Sequence, residues 1–226
     1  REVESARPRN GIRMKTGDAS TVTLQCLLPE LRACTACEPA LPLGAKPIFQ
    51  LDSRAPILIA SQAPGRVAHE KGRPFDDASG DRLRQWLGVS RETFYDPTCF
   101  AIFPMGLCFP GKAASGDLPP RRECAPLWRQ RVLAAMAQVG LTLAIGQYAL
   151  AWHLQRRASV DTLVAGWREH LAQGLLPLPH PSPRNQGWLR DRPWFEAELL
   201  PALRAAVAQR LGPPARRGAV RQPERA

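Results

Sequence analysis

Four short apolar runs punctuate the chain, and each is followed within a few residues by Gly or Pro. They are Ile57-Leu58-Ile59-Ala60, Cys99-Phe100-Ala101-Ile102-Phe103, Leu141-Thr142-Leu143-Ala144-Ile145 and Leu175-Leu176-Pro177-Leu178. Runs of this length without polar alternation predict strands buried on both faces. Between them the period changes to that of helices. Leu24, Leu27, Leu28 and Leu31 share one side of a helix over residues 21–34, interrupted at Pro29. Leu83, Trp86 and Leu87 mark a second helix, capped by Asp77 or Ser79 and stopped by Gly88. A third starts at Cys124, runs to about Val139 and ends at Gly140; a fourth opens at Gly146; a fifth covers residues 159–172. Phe195, Leu199, Leu203, Val207 and Leu211 recur at i+4 spacing and dock a last helix on the core, with Pro201 demanding a kink or two helices. Residues 38–54, 89–98 and 104–120 read as loops. Strands alternating with helices predict an α/β fold with three layers, α/β/α, around a central, mostly parallel four-stranded sheet. Right-handed crossovers then align the carboxyl ends of the strands along one edge, where ligands sit in such sheets.

Length and composition bound the organisation. The 226 residues, 44% hydrophobic, suit one domain, placed at residues 21–211. A flexible polar arm is expected at 1–20, and a basic disordered tail with Arg216, Arg217, Arg221 and Arg225 at 212–226. No apolar run approaches the ~20 residues of a membrane span, and residues 1–20 lack the apolar core of a secretory signal. A cytoplasmic protein with no membrane partner is expected. There is no internal repeat. The net charge is +11, and only four of the 31 basic residues are Lys. Arg suits phosphate and base stacking, so the charge points to nucleic acid; GC-rich coding is the alternative source of so much Arg.

The chemistry gathers where the first and fourth strands end. Ser61-Gln62-Ala63-Pro64-Gly65 breaks the first strand, and Gly72-Arg73-Pro74-Phe75 then presents one ring on a stiffened backbone. An amide and an aromatic ring over a strand end make a pocket for a flat polar ring. His180-Pro181-Ser182-Pro183 follows the fourth strand. In this order, the two segments resemble the active-site motifs of the uracil-DNA glycosylase superfamily, and the resemblance covers roughly residues 24–211. It implies an enzyme that flips a nucleotide out of the stack and cuts its N-glycosidic bond. By that resemblance His180 donates a hydrogen bond to uracil O2, and Phe75 stacks on the base. Gln62, with the backbone at Ala63 and Gly65, lines the base pocket. Ser182 grips a phosphate, and Arg184 wedges into the gap left by the base. The plainer readings are a loop histidine, a core phenylalanine and a surface arginine on phosphate.

The sequence departs from the family pattern. Ala63 stands where the best-known branch has a water-positioning Asp, and Gln62 where the iron–sulfur branch usually has Glu. Pro104 stands where a uracil-reading Asn is expected. Candidates for orienting water are His69, Glu70, Asp76 and Asp77, with Asp77 equally read as a helix cap and His69 as a loop residue. Without the Asn, related bases such as hypoxanthine or xanthine come into range.

Six cysteines remain: Cys26, Cys34, Cys37, Cys99, Cys108 and Cys124. With no sign of secretion, disulfides are not expected. Cys34-x2-Cys37 and Cys108-x15-Cys124 can surround one metal centre, and four thiolates suit either zinc or a 4Fe-4S cluster. The resemblance to the iron–sulfur branch implies the 4Fe-4S cluster, with Cys34, Cys37, Cys108 and Cys124 as ligands, tying the N-terminal segment to the 104–120 loop. Cys26 and Cys99 are expected to be buried small apolar residues. The expected activity is a monomeric, monofunctional DNA glycosylase, because neither motif carries a Lys for a lyase step. The alternatives are a binding protein for uracil or abasic DNA on the same fold, and a zinc-stabilised basic module without a base pocket.

Overall fold

The structure is a computed structural model that describes residues 23–114 and 116–213. The expected arm, and all but the first two residues of the expected tail, lie outside the described residues. Among the described residues the first element is α1 (Leu24–Arg32), capped by the Thr23 side chain, which accepts from the Cys26 amide. Strand β1 (Ile57–Ala60) leads into α2 (Arg66–Lys71), α3 (Ala78–Leu87) and α4 (Arg91–Tyr95). Strand β2 (Phe100–Ile102) precedes a two-residue hairpin, β3 (Lys112–Ala113) and β4 (Gly116–Asp117). Then come α5 (Cys124–Ala134), β5 (Leu141–Ile145), α6 (Gly146–Leu154), α7 (Val160–Ala165), α8 (Trp167–Ala172) and β6 (Leu175–Leu178). The chain closes with α9 (Gln186–Arg190) and α10 (Leu200–Leu211).

The main sheet has the order β2-β1-β5-β6, and every pairing is parallel. Its register aligns Ile57 with both Phe100 and Leu141, and Ile145 with Leu178. The four apolar runs are therefore the four strands, and the expected α/β fold with a parallel four-stranded sheet is present. Side-chain alternation divides two cores between the sheet faces. Ile57 and Ile59 join Leu143, Leu83, Trp86, Leu199 and Leu203 on one side. Leu58, Ala101 and Phe103 join Leu27, Leu31, Trp128 and Val132 on the other. At ~25 cal/mol per Å2 of apolar surface removed from water, burial on both faces fixes the register of strands only three to five residues long.

Several boundaries differ from expectation. The polar stretch after Gly65 winds into α2, and the 89–98 stretch contains α4, which begins where Ser90 Oγ accepts from the Thr93 amide at 3.2 Å. The 159–172 helix is split at Gly166. The helix from Cys124 stops at Ala134 rather than near Val139. Pro201 falls in the first turn of α10, and a π-helical turn at Phe195–Leu199 precedes it. The π-helical turn runs directly into α10, so the stretch is one continuous helix with a π-turn just before Pro201.

Candidate active site

The carboxyl ends of β1, β2 and β6 open into one cavity of about 220 Å3. Its wall is built from Ser61, Ala63, Pro64 and Gly65 after β1, Phe75 and Asp77 before α3, Pro104 after β2, and His180, Ser182 and Arg184 after β6. The two motifs, more than a hundred residues apart, thus meet across a single space.

Phe75 is held there by an unusual backbone. Its φ is 55°, a left-handed conformation that a large side chain rarely adopts. The Phe75 carbonyl accepts from the Tyr95 hydroxyl at 3.0 Å and from Arg84 Nη1 at 3.4 Å. Gly80 makes the turn possible: a Cβ there would lie 1.7 Å from the Phe75 oxygen. Gly72, also left-handed at φ 68°, ends α2 and releases the chain into the turn. The Phe75 ring packs edge-on against Phe94, with centroids 6.4 Å apart.

Asp77 is the helix cap, and its expected part in orienting water has only its place on the cavity wall behind it. Its Oδ1 accepts from the Gly80 amide at 2.9 Å as the cap of α3, and the residue also lines the cavity. His180 follows β6, and its backbone carbonyl accepts from Asn185 Nδ2 at 2.7 Å. Burial pushes its imidazole below the ordinary histidine pKa, while the negative charges of Asp77 and Asp117 pull the other way. The lowered value leaves the ring neutral near pH 7, with one N–H to donate. Ser182 Oγ accepts from the Arg184 amide at 3.3 Å, and the Ser182 carbonyl accepts from Arg82 Nη1 at 3.1 Å. Arg184 reaches over β4, its Nη1 2.8 Å from where a Cβ on Gly116 would lie.

Two expected site residues lie elsewhere. Gln62 is outside the cavity lining and donates from Nε2 to the Leu118 carbonyl at 3.2 Å. His69 is on the buried side of α2, its ring 6.0 Å from Phe109, because the helical turn directs it inward rather than toward the strand ends. Burial lowers its pKa, and the charge of Lys46 lowers it further. Two cavity residues escaped the sequence reading, Lys112 and Asp117. They face each other across the β3–β4 hairpin, with Nζ 3.3 Å from Oδ1.

The four paired cysteines converge on a second cavity. Cys34, Cys37, Cys108 and Cys124 line it together with Leu41, Leu107 and Arg121. Cys124 Sγ accepts from the Leu107 amide at 3.4 Å, and Cys34 Sγ from Trp128 Nε1 at 3.3 Å. Burial raises the Cys108 thiol to about 11 and the Cys124 thiol to about 12, so each is protonated at pH 7 without a metal's charge nearby. Among the described residues, no three His, Cys, Asp or Glu side chains are gathered tightly enough for one metal ion. The thiols share a cavity without closing to a point. Of the remaining two cysteines, Cys99 is buried as expected, but Cys26 is exposed, because it lies on the outer side of α1.

The sequence model of the uracil DNA glycosylase superfamily matches residues 48–204. That span is most of the chain and contains every wall of the first cavity, as well as Cys108 and Cys124, while Cys34 and Cys37 precede it. With the parallel sheet and the two motifs meeting at its carboxyl edge, this match shows that the chain belongs to the uracil DNA glycosylase superfamily.

Proposed function

We propose that this protein is a monofunctional DNA glycosylase that hydrolyses the N-glycosidic bond of uracil in DNA, releasing free base and leaving an abasic site for base-excision repair. The observation that carries the reading is His180, its pKa lowered by burial, and a clamped Phe75 lining one cavity of about 220 Å3, with Ser182 and Arg184 at its edge. The base is flipped into the cavity and stacks on Phe75. As the bond to C1′ stretches, negative charge grows on the base, and the His180 N–H stabilises it at a carbonyl oxygen. A preorganised donor in a site that excludes water is worth far more than one in bulk solvent. Ser182 and Arg184 hold the flanking phosphates. Pro104 and Ala63 contribute no polar side chain to the wall, so base choice rests on shape and backbone groups, and deaminated purines are candidate substrates beside uracil.

The second cavity supports a 4Fe-4S cluster held by Cys34, Cys37, Cys108 and Cys124. Four cysteines lining one space fit either zinc or a multi-iron group, and the resemblance to the iron–sulfur branch favours the cluster. The cluster would supply cross-linking rather than catalysis, joining the segment after α1 to the loop after β2 and to the start of α5. Iron and acid-labile sulfide at about four each per chain are the expected analysis; one zinc and no sulfide would replace this assignment.

The test of activity is single-turnover release from an oligonucleotide with one uracil, wild type beside His180→Ala. Release by the wild type that drops by about 100-fold or more in the variant supports the reading. The competing reading, a protein that binds uracil or abasic DNA without turnover, is favoured by the carboxylate-free positions 62 and 63. Tight binding with no release from any deaminated base would establish it.

A further inference from the structure

Cleavage of the glycosidic bond leaves positive charge on the sugar and needs a positioned water. A carboxylate serves both needs. The first-motif positions carry none, since residues 62 and 63 are Gln and Ala. The neighbouring acids are engaged elsewhere: Glu70 pairs with Arg66 at 2.9 Å, and Asp76 pairs with Arg91 at 2.7 Å, and neither lines the cavity. Among the described residues, the cavity wall contains two carboxylates, Asp77 and Asp117. Asp77 commits an oxygen to the Gly80 amide and thereby fixes the turn that carries Phe75. Asp117 has no backbone duty of that kind.

We infer that Asp117, carried over the cavity by the β3–β4 hairpin, is the carboxylate that orients the attacking water and faces the sugar cation. The inference rests on the glycosylase reading above. Three features of the hairpin fit the role. Lys112 Nζ lies 3.3 Å from Asp117 Oδ1 and holds one oxygen, leaving Oδ2 on the side of the β1 loop. That loop makes room for it, because a Cβ at Gly65 would lie 3.3 Å from Asp117 Oδ2. On the same strand, Gly116 lies under the Arg184 guanidinium, so a phosphate held by Arg184 would seat the hairpin as DNA binds. In the reaction the C1′–N1 pair leaves with the base, the water oxygen bonds to C1′, and its proton passes to Asp117 and then to solvent. The products are an abasic sugar and the free base, which takes up a proton from solvent.

The experiment compares wild type, Asp117→Asn, Gly65→Ala and Asp77→Asn in single-turnover base release. Affinity is measured in parallel on an oligonucleotide containing 2′-fluoro-2′-deoxyuridine, which resists cleavage. Asp117→Asn keeps size and removes charge, and should lower the rate by about 100-fold with affinity within ~3-fold. Gly65→Ala should lower the rate without a charge change, by pressing on Oδ2. Asp77→Asn should instead lower the thermal midpoint, through the weakened cap. A rate unchanged in Asp117→Asn overturns the inference. So does a loss of affinity that accounts for the whole rate loss, which would make Asp117 a binding residue. A loss confined to uracil and absent for hypoxanthine or xanthine also overturns it, since that pattern belongs to a base-reading group. A wild type that binds the fluorinated oligonucleotide but releases no base from any of these oligonucleotides overturns the glycosylase reading itself, and this outcome is separate from the first three.

Discussion

Gly80 shows how much of the pocket depends on the absence of one atom. Phe75 sits at φ 55°, a conformation costing about 1–3 kcal/mol for a non-glycine residue. It persists because the Tyr95 hydroxyl and Arg84 bind its carbonyl and because residue 80 has no side chain. Gly80→Ala would place Cβ 1.7 Å from that carbonyl and 2.9 Å from Phe75 Cβ, so the turn must open. The expected outcome is a loss of about 2 kcal/mol in chemical denaturation, together with at least a 10-fold slower base release. Release at the wild-type rate would mean that Phe75 is not the stacking platform. The His180–Phe75 pairing was legible in the sequence because each residue lies in a short motif next to a strand end. The Phe75 conformation was not, since it depends on Gly80 and Tyr95, which touch it only in the folded chain.

At the level of elements, α5 joins the two cavities. Cys124 begins it, and Arg129, about one and a half turns further along, is almost completely buried at 1% exposure. Its Nη1 donates to the Phe103 carbonyl at 3.0 Å and to the Pro104 carbonyl at 3.4 Å, directly behind the cavity wall. Its Nη2 lies 2.7 Å from His153 Nε2 on α6. Arg129→Ala strands both carbonyls and should cost about 3 kcal/mol. Arg129→Lys should recover only part, because an ammonium lacks the planar fork that spans three acceptors. Equal stability of all three proteins, by urea titration, would refute the clamp. Burial and the adjacent Arg129 charge lower the His153 pKa from 6.5 to about 3. The unfolded chain therefore takes up a proton that the folded chain refuses between those values. Stability should fall as pH drops through this window, and the fall should be shallower in His153→Gln. The strands were readable because buried parallel strands are plain apolar runs. The β3–β4 hairpin was not, because two-residue strands with Gly and Lys carry no alternation, and Asp117 was missed with it. The helices α2 and α4, of six and five residues, are too short to repeat a pattern.

Across the whole molecule, charge separates binding from bond breaking. The chain carries +11, and several of its arginines are already used internally, such as Arg84 beneath Phe75, Arg129 in the clamp and Arg204 on the Trp86 carbonyl. At the cavity rim, Arg184 and Lys112 are among the lining residues and are placed to meet a DNA backbone there. Affinity should therefore fall with salt, the slope of log K against log salt being roughly −0.7 per phosphate contact on single strands and −0.9 on duplex. Arg184→Ala should weaken binding and reduce that slope by about one, while a saturating enzyme concentration restores base release from a single strand. If the slope is unchanged but the saturated rate falls, Arg184 acts in the bond-breaking step and the rim assignment fails. If the slope and the saturated rate both fall, Arg184 also seats the hairpin on which Asp117 rides, as its position over Gly116 allows. In that case Arg184→Ala should not deepen the rate loss of Asp117→Asn, because a change that acts through a group has nothing further to remove once that group is lost.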